Sequence, residues 1–140
     1  CAICQPLSIL QWQLTSDYSI LWGDGIYGSE GPLRPTQRFF NLKQLSMTPE
    51  NAFAVPSGCE KENVNIAAFV KPSTGESAVH VVNNAASCDA VVGGLPEGTL
   101  EAVVYVTDTH KKSEARLVPV KDGKVRIHMP AESFVTILTK

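Results

Sequence analysis

The sequence predicts a mostly β fold, an antiparallel, immunoglobulin-like β-sandwich preceded by one strand–loop–helix unit. From Asn63 onward, apolar residues follow a period of two in short runs separated by turn signals, which is typical of a small sandwich. Before that point, a glycine-rich loop leads into a segment whose apolar residues recur every three positions, which indicates a helix. The predicted divisions are the strand–loop–helix unit over 1–48, a linker over 49–62 and the sandwich over 63–140.

The first unit begins with SILQWQLTSDYSIL, which starts like a buried strand and then becomes polar and aromatic. Four glycines fall between Gly23 and Gly31, which predicts a loop. Pro35 is expected in the first turn of the helix, where its missing N–H costs nothing, and Pro49 is expected to end it. The apolar face of this helix is predicted to consist of Phe39, Leu42 and Leu45.

The second part contains the predicted sandwich strands. TPENAFAVPSG is expected to be an extended linker before them. The dipeptide Asp122-Gly123 predicts a two-residue hairpin turn, because such turns need positive φ angles. The predicted strands lie in NVNIAAFV, ESAVHVVNN, CDAVVGGLPEG, LEAVVYVTDT, the two arms of ARLVPVKDGKVRIHMP, and ESFVTILTK.

Composition and motifs exclude several classes of function. The net charge of -2 excludes a general electrostatic grip on nucleic acid. The longest apolar runs are far below the roughly 18 residues that indicate a membrane span. No stretch fits a phosphate-binding loop or a GxSxG nucleophile elbow, and no cofactor is predicted.

Cysteines and histidines give little sign of metal or redox chemistry. Cys1 and Cys4 have CxxC spacing, but Pro6 follows closely where a redox motif needs a helix N-terminus, so a redox or zinc site is not favoured. One structural disulfide, Cys59–Cys88, is left open and would fit an extracytoplasmic protein. The histidines lack the short spacing of a metal pair and are expected on solvated strand faces or in a turn: His80, His110 and His128.

Several segments in order resemble the C-terminal end of clan A glycoside hydrolases, most closely glycoside hydrolase family 30. The segments are LQWQL, PTQRFFNLKQLS, VNIAAFV, SAVHVVNN and MPAESFVTIL, which together extend over most of the chain. In that family a (β/α)8 barrel is followed by a β-sandwich packed on its side. The resemblance implies that the first unit is the eighth βα unit of a barrel whose other seven units precede Cys1, since a whole barrel needs about 250 residues.

The same resemblance implies retaining hydrolysis by two carboxylates at the ends of the fourth and seventh barrel strands. Both would lie before Cys1, so the catalytic carboxylates are expected to be missing and no hydrolase activity is expected from this chain alone. Asp17, Asp24 and Glu30 follow the barrel-like strand but do not occupy the family's catalytic positions. A secreted or periplasmic location is expected.

Four aromatic residues are the candidate carbohydrate contacts: Trp12, Trp22, Tyr18 and Tyr27. Trp12 matches a tryptophan that, in the family resembled, floors the subsite of the cleaved sugar. An indole presents a flat, negative π face to the C–H face of a sugar. The alternative is that these rings pack the loop onto its scaffold and that Trp12 belongs to the core.

Three hypotheses follow. The preferred one is a non-catalytic portion of a glycoside hydrolase acting on plant-type β-glycans, whose sandwich braces the upstream barrel and contacts glycan. The alternative is an independent carbohydrate-binding module that binds β-glycans through loop aromatics. The third is an immunoglobulin-like interaction domain without a sugar ligand. The expected partners are a β-linked glycan and the barrel; copies are expected to associate through the helix or a strand edge if these stay exposed, and no nucleic acid or membrane partner is expected.

Overall fold

The structure, a computed structural model, describes residues 19–25 and 28–140. Within these ranges the chain is mostly β with a single α-helix, as predicted. In chain order the elements are β1 Leu21–Trp22, β2 Arg34–Pro35, α1 Gln37–Leu45, β3 Phe53–Val55, β4 Val64–Val70, β5 Ser77–Asn83, β6 Cys88–Val92, β7 Glu101–Thr107, β8 Glu114–Lys121, β9 Lys124–Met129 and β10 Ser133–Thr139.

Eight of the strands form one antiparallel sheet in the order β3-β4-β5-β10-β7-β8-β9-β6. The sheet turns at β8, which pairs with β7 over residues 114–119 and with β9 only through Val120 and Lys121. The six strands from β3 to β8 therefore face the three strands β8, β9 and β6. The predicted antiparallel sandwich is confirmed.

The core lies between these two layers. Strands that are buried on one face alternate apolar and polar residues, which is why β9 reads as a half-buried strand. Each fully buried valine or isoleucine stabilises the fold by roughly 1.5–3 kcal/mol. The buried apolar core consists of Val64, Val79, Val81, Val92, Leu95, Ala102, Val104, Val106, Val120, Val125, Ile127, Met129, Val135 and Ile137.

The turn between β8 and β9 has the predicted form. Asp122 and Gly123 have φ angles of 52° and 65°, and Lys121 pairs with Lys124 across the turn. Two consecutive positive φ angles match the twist of the flanking strands.

Helix α1 begins later and ends earlier than its prolines predict. Pro35 belongs to β2, and the helix begins at Gln37 because Thr36 takes an extended conformation as N-cap. The Thr36 N–H donates to Ile20 O (2.9 Å) and its hydroxyl donates to Ser19 O (3.1 Å), which anchors the start of the helix to the chain before β1. The helix ends at Leu45, ahead of Pro49.

Within the segment expected as an extended linker, Phe53–Val55 form strand β3, which pairs with Ala68–Val70 at the edge of the sheet. The disulfide left open between Cys59 and Cys88 is not formed: Cys59 is an exposed free thiol after β3, and Cys88 is a half-buried free thiol at the start of β6.

Strands β1 and β2 form a separate two-stranded ribbon, closed by the predicted glycine-rich loop. Within the loop, Asp24 N–H donates to Gly31 O (2.9 Å) and Gly25 N–H donates to Ser29 O (3.0 Å). The ribbon and α1 stay outside the eight-stranded sheet. None of the described residues forms a helix with the length and apolar character needed to cross a membrane.

Candidate functional site

One of the four predicted carbohydrate contacts lies in the described part of the chain. Trp22 is half-buried in β1, opposite Arg34 of β2, at the base of the glycine-rich loop. Trp12, Tyr18 and Tyr27 lie outside the described residues.

Of the three acidic residues near this loop, two lie in the described part of the chain. Asp24 and Glu30 are exposed in the loop, and Asp17 lies outside the described residues. Over residues 19–25 and 28–140, no group of three His, Cys, Asp or Glu side chains is arranged to hold a metal ion.

The most distinctive surface is the outer face of the six-stranded layer, the face that points away from the core. Residues directly opposite each other on paired strands share a face, so the register defines rows across it. One row, called here the apolar row, crosses β4, β5, β10, β7 and β8 through Phe69, Ala78, Leu138, Val103 and Leu117. The next row consists of Ala67, His80, Thr136, Tyr105 and Ala115, and a third of Asn65, Val82, Phe134 and Thr107.

Helix α1 docks on the second and third rows through Gln44, which is fully buried. The two protons on its Nε2 are shared among three acceptors, Tyr105 O (3.3 Å), Phe134 O (3.2 Å) and Thr136 Oγ1 (3.1 Å). Its Oε1 accepts from the Thr107 hydroxyl. Both ends of the amide are therefore satisfied, as the burial of a polar group requires.

Some apolar side chains of the helix face the sheet, and others face away from it. Leu42 and Leu45 line a groove of about 360 Å³ between the helix and the sheet, together with Ala67, Val82 and Phe134. At 3.6 residues per turn, Phe39 lies about 140° from Gln44 around the helix axis, and it is half-buried. The helix thus packs on the sandwich while directing part of its apolar face away from it.

The histidine expectation is wrong for His80, which is only 4% exposed. Its Nε2 lies 2.9 Å from Thr48 Oγ1 and its Nδ1 lies 2.9 Å from Thr136 Oγ1. Burial lowers its pKa from 6.5 to about 4, because the charged ring loses its hydration. The expectation failed because His80 points to the outer face, where the segment after α1 covers it.

The other two histidines are exposed, as expected. His110 lies in the turn between β7 and β8. His128 points outward from β9 and lies 2.9 Å from the exposed carboxylate of Asp89, a solvent-screened pair of small energetic value.

The apolar row continues beyond the part of the face that α1 contacts. Leu117 is 67% exposed, and Phe69, Val103 and Leu138 are half-buried. The outer face of the three-stranded layer is different: β9 directs Lys124, Arg126 and His128 outward, and all three are exposed. The two outer faces of the sandwich therefore differ in polarity.

Solved structures share this fold. A family 30 endoxylanase from Clostridium papyrosolvens C71 matches 76% of this chain and 28% of its own, with 19% identity and a TM-score of 0.68. Family 30 xylanase C from Talaromyces cellulolyticus matches 88% of this chain and 27% of its own, with 18% identity and a TM-score of 0.64. A conserved exported protein from Bacteroides fragilis matches 79% of this chain and 23% of its own, with 16% identity and a TM-score of 0.60.

No protein-family model matches the sequence, and comparison with curated proteins gives no significant match. The chain spans between 23% and 28% of the length of these three solved relatives. The chain thus shares the fold of one part of larger family 30 xylanases, which agrees with the resemblance in the sequence.

Proposed function

We propose that the chain is the non-catalytic C-terminal portion of a glycoside hydrolase acting on plant-type β-glycans, in which the sandwich braces an upstream (β/α)8 barrel. In this proposal, residues 1–48 are the last barrel unit, 49–62 the connection and 63–140 the brace. The outer face of the six-stranded layer, with α1 upon it, is the surface that meets the rest of the barrel.

The observation that carries the proposal is the apolar row. A sandwich surrounded by water places polar side chains on its outward positions, as β9 does with Lys124, Arg126 and His128. The apolar row instead places apolar side chains on five adjacent strands, on the same face that holds α1. Leu117 is 67% exposed and Phe69, Val103 and Leu138 are half-buried, so apolar surface stays partly accessible along this row, which supports a contact with another protein body.

Two further observations support the proposal. The β1–β2 ribbon and α1 do not join the eight-stranded sheet, as expected of a unit that belongs to a different body. The relatives with this fold include xylanases, which supports a β-glycan as the substrate class, and an exported protein, which supports a secreted or periplasmic location.

A second role, glycan contact through aromatic residues, is favoured by Trp22. It is half-buried on the separate ribbon, so part of its indole stays accessible at the base of a loop. In the proposed parent, Trp12, Tyr18 and Tyr27 would add to the same aromatic surface. In the alternative function, an independent carbohydrate-binding module, these same residues would bind glycan without a barrel.

The coding sequence upstream of Cys1 tests the proposal. We expect a continuous reading frame for seven βα units, with glutamates at the ends of the fourth and seventh strands. The longer polypeptide should hydrolyse xylan or a β-glucan, and the chain of 140 residues should not. An upstream frame with no barrel, or hydrolysis by the 140-residue chain alone, would contradict it.

A further inference from the structure

A chain of hydrogen bonds leaves the end of α1, crosses the sheet and returns to the helix. Gln44 Nε2 donates to Thr136 Oγ1 (3.1 Å) on β10, and Thr136 Oγ1 lies 2.9 Å from His80 Nδ1 on β5. His80 Nε2 lies 2.9 Å from Thr48 Oγ1, and the Thr48 hydroxyl donates to Leu45 O (2.7 Å) at the last residue of the helix. The end of α1 is therefore joined to the sheet at two points, one of which is a histidine.

The proton positions in this network follow from the number of donors. Thr48 has one hydroxyl proton, which it donates to Leu45 O, so the bond between Thr48 and His80 must use a proton on Nε2. Thr136 accepts from Gln44, which leaves its own proton for His80 Nδ1. The network is complete only when the ring is neutral and protonated at Nε2.

Among residues 19–25 and 28–140, the hydrogen-bond partners, ring contacts and groove neighbours of His80 include no acidic group that would balance a second proton. The ring stacks on Phe134 with centroids 5.7 Å apart and planes 7° apart, and its centroid lies 5.9 Å from that of Phe69 in an edge-to-face arrangement. Among the described residues that line the groove between α1 and the sheet, Arg38 of α1 carries a charge, and this charge is positive. The groups facing the ring from β4, β10 and the segment after α1 are neutral: Ala67, Phe69, Phe134, Thr136 and Thr48.

We propose that His80 is a proton-sensitive latch: a second proton on its ring releases the end of α1 and the following segment from the outer face of the sheet. A proton on Nδ1 would meet the hydroxyl proton of Thr136, which must then rotate away from the ring and lose its acceptor. The charged ring would gain full hydration only if the segment carrying Thr48 moves off it. The core of the sandwich, on the opposite face of the sheet, takes no part in this change.

The direction of the pH dependence follows from linkage. The docked form holds His80 with a pKa lowered to about 4, whereas a released, hydrated ring returns to 6.5. The released form therefore binds more protons between these values. Docking is strongest above pH 6.5 and weakens as the pH falls toward 4, so the docking equilibrium should change about 100-fold between pH 7 and pH 4. The latch depends only on contacts within this chain and not on the proposed function.

Amide hydrogen exchange at pH 7 and pH 4 tests the latch. The reporters are amides that close the end of the helix, Ser46 to Leu42 O and Met47 to Gln44 O, and the references are core amides on β10. We expect the protection of the helix-end amides to fall at pH 4 by up to about 100-fold relative to the references. An equal fall in both groups, or no fall in either, would overturn the proposal.

Variants separate the latch from general acid sensitivity. His80→Gln keeps a hydrogen-bonding side chain without a titrating ring and should remove the selective loss of protection. His110→Gln and His128→Gln, at exposed positions, should keep it. Titration of His80 in the unaltered chain by nuclear magnetic resonance decides the matter even where His80→Gln fails to fold. A pKa near 4 with the neutral ring protonated at Nε2 supports the latch, and a pKa near 6.5 with the helix still docked overturns it.

Discussion

Gln44 of helix α1 donates a hydrogen bond to Thr136 of β10 across 92 positions of sequence. Gln44 is also fully buried, and its amide contacts backbone and hydroxyl groups of β7 as well as β10. The helix is thus held on the sheet by a polar anchor, with apolar contacts beside it. This attachment fixes which face of the sandwich carries the helix.

Replacing Gln44 by leucine should destabilise the chain by about 1–3 kcal/mol, because the buried Thr107 hydroxyl loses the acceptor for its proton. Urea unfolding followed by circular dichroism measures the change. Gln37→Leu is the matched control, since Gln37 is exposed on the same helix. A loss no greater for Gln44→Leu than for Gln37→Leu would show that the anchor contributes little.

Asp108 should make stability depend on pH in acid. Burial raises the pKa of Asp108. The backbone N–H groups of Lys111 and His110, 2.6 and 2.7 Å from Oδ1, lower it by more than burial raises it, so the net pKa lies below 3.8. Because the folded pKa is the lower one, this contribution is present above pH 3.8 and is lost as the pH falls through the folded value.

Asp108→Asn should therefore cost about 1–2 kcal/mol at pH 7, and the difference from the unaltered chain should shrink below pH 3.8. Asp89→Asn, at an exposed carboxylate, is the control and should cost under about 0.5 kcal/mol. Thermal unfolding at pH 7 and pH 3 measures both. A cost for Asp108→Asn that is the same at the two pH values would refute the assignment.

Gly23 should tolerate no side chain. Its φ is 113°, and an added Cβ would lie 2.4 Å from Pro32 O across the ribbon. Gly25 has a φ of 81° but open space around it, so Gly25→Ala measures the conformational cost without the collision. Gly23→Ala should lower the hydrogen-exchange protection of the Asp24 and Thr36 amides at least about tenfold more than Gly25→Ala does. A tenfold difference in protection corresponds to about 1.4 kcal/mol of local stability. Equal effects would mean that the ribbon yields to the collision.

Glycan contact by Trp22 should appear as retardation of the chain in affinity electrophoresis on soluble xylan or β-glucan. Trp22→Ala should abolish it and Trp22→Phe should weaken it, because the smaller ring keeps part of the flat surface. Retardation that survives Trp22→Ala but not Trp12→Ala would move the platform to the barrel-like strand. Absence of retardation in the unaltered chain would remove the carbohydrate-binding module from consideration.

The strands could be predicted from the sequence, but the burial of Gln44 as a polar anchor could not, and the reason is physical. A period of two and the Asp122-Gly123 turn are local signals, and they locate β8 and β9 without knowledge of the rest of the chain. Gln44 and His80 are buried only because residues from distant strands supply their hydrogen bonds. The helix pattern gives no signal for Gln44, because Gln44 lies about 140° around the helix axis from Phe39, away from the apolar face that the sequence predicts.

The position of Pro35 misled for a related reason. Pro35 is compatible with a first helical turn, but the hydrogen bonds of Thr36 to Ile20 and Ser19 hold the chain extended until Gln37. The carbohydrate contacts rested on Trp12, Tyr18 and Tyr27 as well as Trp22, and the structure describes only Trp22. The resemblance to family 30 enzymes, by contrast, agrees with the fold because it followed the order of several segments.

The most direct test of the proposed brace is thiol labelling of Leu117→Cys on the apolar row, read by peptide mass spectrometry. Val91→Cys is the control, because Val91 is an exposed apolar residue of β6 in the other layer. In the isolated chain both introduced thiols should react quickly. In the longer natural polypeptide, Leu117→Cys should react at least about tenfold more slowly while Val91→Cys is unchanged, as burial against a barrel requires. Equal labelling of Leu117→Cys in the two polypeptides would contradict the docking of this face against a second body.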